Sequence, residues 1–197
     1  MMLFRAVVAV VSAVVVVALG FGLVASGRDD ERADLLAALE SRPAGEPVET
    51  WSYGRVAGYD DDPEVFAALA SHVAACGADC GPESVDALYY LSLDEPSEQD
   101  RFLAVVAPLG ADRNLDPATS MAVMLRAADL WPRSEPVFLA MLADDDPVVR
   151  QRALVHLPDT AELDPEEPVG EALAAMAADP GESQALRSGA GRRLAAG

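Results

Sequence analysis

Lysine is missing from this sequence altogether. All 14 basic residues are arginines, set against 33 acids, for a formal net charge of -19. A surface of that sign repels nucleic-acid phosphates, which a basic patch would have to neutralise, so no nucleic-acid partner is expected. Histidine and cysteine are nearly as scarce, with two of each. His72 and His156 lie in apolar helical stretches, and only His72 is near the cysteines in sequence. They make no zinc set and give no serine or cysteine nucleophile a base. Aromatic residues are only 6% of the chain although 51% of it is hydrophobic. A core of that kind relies on close helix packing rather than on large rings. No motif for a cofactor or metal stands out, and no catalytic constellation rises above background.

The acidity itself has three readings. The simplest is a solvated face without a partner. Adaptation to high salt and steering of cationic partners are the others. GC-rich codon usage would account for the missing lysine without any of them.

Long hydrophobic runs are also absent, with one exception. From Ala6 to Ala25 the chain is apolar except for Ser12, and about 20 such residues span a bilayer's hydrocarbon core of ~30 Å. The run ends at Ser26-Gly27-Arg28-Asp29-Asp30-Glu31-Arg32. A cleaved signal would have a shorter apolar centre, and Val24-Ala25-Ser26 offers a cleavage site. The length of the valine-rich run favours a retained anchor. Arg28 and Arg32 follow the span, so basic-residue counting leaves orientation open. The short tail ahead of the run resembles an export signal, which places the remainder outside the cytoplasm. The expectation is a single-pass membrane protein, or a secreted one if the segment is removed.

Three regions follow from this: residues 1–27 as anchor or signal, 28–59 as juxtamembrane helix and linker, and 60–197 as a helical domain. Residues 29–41 place Leu35, Leu36 and Leu39 on one side of a helix. Pro43, Gly45, Pro47, Gly54 and Gly58 punctuate the linker. Trp51, Tyr53 and Tyr59 cluster there. Aromatics in a chain that has so few either form an interaction hot spot or cover an open end of the helical stack.

Beyond residue 60, apolar stretches start again and again at an acid or glycine followed by proline. The starts are Asp62-Pro63, Gly81-Pro82, Glu95-Pro96, Asp116-Pro117, Glu135-Pro136, Asp146-Pro147 and Asp164-Pro165. An aspartate accepts hydrogen bonds from the free N–H groups of a helix start. Proline fits the first helical position, where its missing N–H has no partner to lose. Apolar stripes with helical spacing lie between the starts: Val65, Leu69, Val73 and Cys76; Val85, Leu88 and Tyr89; Phe102, Val105, Val106 and Leu109; Met121, Met124, Leu125 and Ala128; Val169, Leu173 and Met176. About eight short helices are expected. Taken in pairs they begin near Pro63, Ser97, Ser134 and Glu167, a period of about 34 residues that matches helical-hairpin arrays. The fold class is therefore all-α, an N-terminal transmembrane helix followed by an α-solenoid of short hairpins.

The clearest hairpin runs from Glu135 to Leu157. An apolar first helix leads to Asp146-Pro147-Val148-Val149-Arg150, followed by a second helix with Ala153 and Leu154. This resembles a HEAT repeat of the short kind found in phycobilin-lyase-like proteins, with Asp146, Pro147, Val149 and Arg150 at the Asp-Pro-x-Val-Arg positions. Leu173 to Leu194 looks like a degraded copy, with Asp179-Pro180 at the turn and Arg187 for the arginine. Asp60 to Val65 repeats the turn but carries Phe66 where arginine belongs. The resemblance covers about a third of the chain. It implies α-solenoid scaffolding and protein binding, and no chemistry.

Cys76 and Cys80 enclose Gly77-Ala78-Asp79. An even cysteine count in an exported domain argues for a disulfide between them. A redox pair would have closer C-x-x-C spacing at a helix N-terminus. The runs Asp60 to Asp62 and Asp144 to Asp146 read as helix caps, because they lack the ligand spacing of a calcium loop. The function expected is a membrane-anchored, non-enzymatic scaffold for a protein partner. The alternatives are an exported enzyme or thiol-redox protein using Cys76 and Cys80 or scattered carboxylates, and an acidic accessory subunit of a membrane complex.

Overall fold

The computed structural model describes residues 28–40, 56, 58–79, 81–158 and 167–195. The chain divides into two compact units, Met1–Arg42 and Pro43–Gly197. In the first, residues 28–40 form helix α1, with Leu35 and Leu39 buried one turn apart and Leu36 half-buried. The expected span from Ala6 to Ala25 lies outside the described residues. No described helix is long and apolar enough to cross a membrane.

The described residues of the second unit are helical throughout, without strands. The helices are α2 (Pro63–Cys76), α3 (Pro82–Leu91), α4 (Pro96–Ala111), α5 (Pro117–Asp129), α6 (Glu135–Leu142), α7 (Pro147–His156), α8 (Pro168–Ala178) and α9 (Gln184–Ala195). A 3-10 turn, Gly77–Asp79, follows α2. Its first residue has the positive φ of 55° that favours glycine at a helix end.

Proline occupies the first position of α2, α3, α4, α5, α7 and α8. Of the residues directly ahead of these prolines, only the aspartates cap with their side chains. Asp62 accepts from the N–H groups of Glu64 and Val65 at 3.0 and 3.2 Å. Asp116 accepts from Ala118 and Thr119 at 2.9 and 3.1 Å, and Asp146 from Val148 at 2.8 Å. Glu95 and Glu167 make no such bond. Aspartate is a preferred capping residue, whereas glutamate's carboxylate stands one methylene further out. α6 begins one residue ahead of its proline, after Ser134. The last expected start shifts: α8 opens at Pro168, and Asp164-Pro165 lies outside the described residues.

Consecutive helices pair into four antiparallel hairpins, α2–α3, α4–α5, α6–α7 and α8–α9. The first helices pack in a row, α2 on α4, α4 on α6 and α6 on α8. The second helices form a parallel row, α3 on α5, α5 on α7 and α7 on α9. The result, among the described residues, is a two-layer stack whose principal contacts lie within a hairpin or between adjacent hairpins. One phenylalanine from each of the first three first-layer helices, Phe66, Phe102 and Phe138, is fully buried, and Leu173 is buried in α8. Each such side chain contributes about 1.5–3 kcal/mol on burial. All three phenylalanines among the described residues are thus in the core.

Arginines tie one hairpin to the next. Arg101 lies over the Phe66 ring, 4.8 Å from its centroid. Arg126 pairs with Asp86 of α3 at 2.7 Å, and Arg133 with Asp100 of α4 at 2.6 Å. Arg152 of α7 donates to the carbonyls of Gly110 and Asp112, at the C-terminal end of α4, where a cation is favoured. Arg113 reaches Asp146 at 3.3 Å, and Arg193 of α9 donates to the Val155 carbonyl at 2.7 Å.

Arg150 makes the most enclosed tie. Its Nη1 donates to the carbonyls of Asp144 and Asp145 in its own turn, and its Nη2 to Glu182 Oε2 of the next hairpin at 3.0 Å. Nε stands 2.9 Å from Glu182 Oε1 but off-line for a hydrogen bond, so that contact is an ion pair alone. Arg187 occupies the equivalent fourth position of α9, yet its buried Nε has no hydrogen-bond partner among the described residues. Asp60 to Val65 differs in another way. It opens α2, a first-layer helix, and does not join a first helix to a second as Asp146-Pro147 does.

Candidate interaction face

The stripe expected to bury α5 is divided between two faces. Met124 is buried, but Met121 and Leu125 are 53% and 49% exposed. The face of α5 that packs inward is instead Thr119, Ser120, Val123, Met124 and Ala127. Three of these five, Thr119, Ser120 and Ala127, are small, and α5 packs against α3 and α4. On the neighbouring α7, Val149, Ala153 and Leu154 are buried while Val148 and Val155 stand out. Four of the five large exposed apolar side chains among the described residues therefore lie on the outer face of two adjacent second-layer helices. The fifth, Leu93, is in the α3–α4 connection.

A groove of about 490 Å³ runs along this face between α3 and α5. It is lined by Pro117, Ala118, Met121, Ala122 and Leu125, and closed by Asp86 and Arg126. Arg126 is bonded to Asp86, reaches Asp129 at 3.2 Å and lies 5.0 Å from the Tyr89 ring centroid. The hydrogen bond to Asp86 raises the Arg126 pKa further, outweighing the lowering by burial. Its charge is thus fixed and matched. Glu83 is exposed on α3 one turn ahead of Asp86, and Asp129 is exposed one turn beyond Leu125. The lining is apolar apart from the Asp86–Arg126 ion pair.

This site was hidden in the sequence by its own stripe. The signal that marks it is the unbroken run Met121-Ala122-Val123-Met124-Leu125, which covers more than the one face a surface helix buries.

The residues singled out from sequence lie elsewhere. Cys76 is buried and disulfide-bonded, and Cys80 lies outside the described residues. Trp51 and Tyr53 also lie outside them. Tyr59 is only 8% exposed, with its N–H donating to the Val56 carbonyl at 2.8 Å, so its ring is not part of an open surface. His72 is buried in α2. His156, at the end of α7, has its pKa lowered by burial and by the nearby charges of Arg152 and Arg193. In the two acidic runs, Asp62 and Asp146 are occupied as caps, and Asp144 accepts from the Asp146 N–H at 2.8 Å.

Family models, curated proteins and solved structures were compared with the chain, and none matches it.

Proposed function

We propose that this chain is a non-enzymatic helical-repeat scaffold, an α-solenoid related in design to HEAT arrays, that binds another protein through the outer face of its second helix layer. The observation that carries the reading is the exposure of Met121 and Leu125 in an open groove, with Val148 and Val155 also exposed on the neighbouring second-layer helix. Exposed apolar surface on an otherwise acidic domain marks a place where something docks. The stacked hairpins support it, because such arrays offer an extended surface made of repeated helix faces. The apolar run from Ala6 to Ala25 would hold the scaffold at a membrane with its domain outside the cytoplasm. A disulfide joining Cys76 to Cys80 accords with that compartment. Intact-mass analysis of the native protein would detect it as a gain of two hydrogens on reduction.

The deciding experiment places a photo-crosslinking residue at Met121 of the full-length protein in native membranes. A control protein carries it at Glu171, on the exposed side of α8. A discrete adduct from position 121 and none from 171 is expected. Equal labelling from both positions, or none from 121, would remove the interaction face.

A further inference from the structure

The groove between α3 and α5 has a shape and a charge that select one kind of occupant. Ala118, Met121, Ala122 and Leu125 follow at i, i+3, i+4 and i+7, so α5 presents a continuous apolar stripe about two turns long. An apolar strip of that form is matched by the apolar face of another helix, and a methionine in the floor adapts to varied side chains. The surroundings supply the second selection. Residues 60–197 carry 26 acidic side chains against nine arginines, counted from the sequence. Arg126, the cation lining the groove, is neutralised by Asp86 and Asp129. Glu83 and Asp129 are exposed one helical turn from Asp86 and Leu125, which line the groove. A second copy of this chain, itself at -19, is repelled, and so is an anionic lipid surface.

We infer that the groove takes a cationic amphipathic helix of a partner protein, its apolar face on Met121 and Leu125 and its basic flanks towards Glu83 and Asp129. This assignment rests on the interaction-face reading above and names the partner's chemistry. Negative potential around the groove speeds encounter with such a helix, and the apolar floor holds it.

The test uses the full chain in phosphatidylcholine nanodiscs, with empty nanodiscs subtracted. The probe is a dye-labelled amphipathic leucine–lysine helix peptide with a benzophenone on its apolar face. A scrambled peptide of the same composition and a leucine–glutamate helix are the comparators. The amphipathic cationic peptide should bind at least about tenfold more tightly than either. Its crosslinks should fall on α5 around Met121. The double variant Met121→Ser/Leu125→Ser should weaken it about tenfold, as loss of apolar anchors does. Ala118→Trp, which fills the groove from an exposed position without removing a packed side chain, should do the same, with helical circular dichroism unchanged in both. Equal binding of the scrambled peptide, crosslinks confined to the acidic turns, or undiminished binding by either folded variant would overturn the assignment. So would binding of anionic phosphatidylglycerol vesicles in place of the peptide. If the Met121 photo-crosslinker captures a native protein while the cationic peptide fails, the interaction face stands and the cationic helix falls. If both fail, both readings fall.

Discussion

Asp146 and Leu154 hold α7 in different ways, and substitution separates them. Asp146 caps the helix through a single bond to the Val148 N–H, so Asp146→Ala should cost about 1 kcal/mol. Leu154 is 3% exposed and seated against α9, where a Cβ added to Gly189 would come within 2.6 Å of its Cδ2. Leu154→Ala leaves a cavity that a facing glycine cannot fill, and should cost about 2–5 kcal/mol. Urea unfolding of the two variants measures both. If Leu154→Ala is no worse than Asp146→Ala, position 154 is not in a core. His156 gives a pH-dependent prediction. Burial and two arginines lower its folded pKa below the ordinary 6.5. The unfolded chain therefore binds its proton more readily. The contribution of neutral His156 is fully present above 6.5 and is lost as pH falls through the lowered folded value. Glu98, whose pKa is raised chiefly by burial, acts in the opposite sense in the carboxylate range. Urea midpoints taken from about pH 8 down to about pH 5 should fall, and the fall should shrink in His156→Gln. An unchanged pH profile in that variant would refute the assignment to His156.

At the scale of elements, the Arg150–Glu182 pair is the strongest polar link between the third and fourth hairpins, with side chains 17% and 13% exposed. Removing Arg150 leaves Glu182 half-enclosed and two turn carbonyls without their donor. Arg150→Ala should destabilise by about 1–3 kcal/mol, and a double-mutant cycle with Glu182→Gln should show a coupling of about 1 kcal/mol. Hydrogen exchange should rise in α8 and α9 before it rises in α2 and α3. Equal rises along the stack would mean that the pair does not join these hairpins. Much of this architecture was legible in the sequence. Asp-Pro and Glu-Pro junctions announce helix starts because their chemistry is local, and the stripes of α2 and α8 bury as read. What was not legible is the rotation of α5. Periodicity gives weight to large apolar residues, so Met121 and Leu125 looked like core, whereas the face that α5 buries includes the small Thr119, Ser120 and Ala127. Which face of a doubly apolar helix turns inward depends on the neighbour's shape, and a single sequence does not display that. The exposed apolar side of α5 was missed for the same reason.

For the molecule as a whole, the balance of charge sets a clear expectation. A net charge of -19 on 197 residues is self-repulsive, and mobile ions screen repulsion between exposed groups more than they weaken the enclosed Arg150 tie. Raising sodium chloride from about 0.05 M to about 1 M should therefore increase Tm, since the Debye length falls from more than about 10 Å to about 3 Å. A constant or falling Tm would show that the surface acids are already balanced. The stack has a further consequence. Among the described helices, the principal contacts of each hairpin are with the hairpins before and after it. The size of such a molecule is quantised. One hairpin of roughly 34 residues inserted or deleted changes its length by one interhelix spacing, about 8–10 Å, and leaves every remaining junction as it was. Reach, in this design, is adjusted in whole units, like the rungs of an extension ladder.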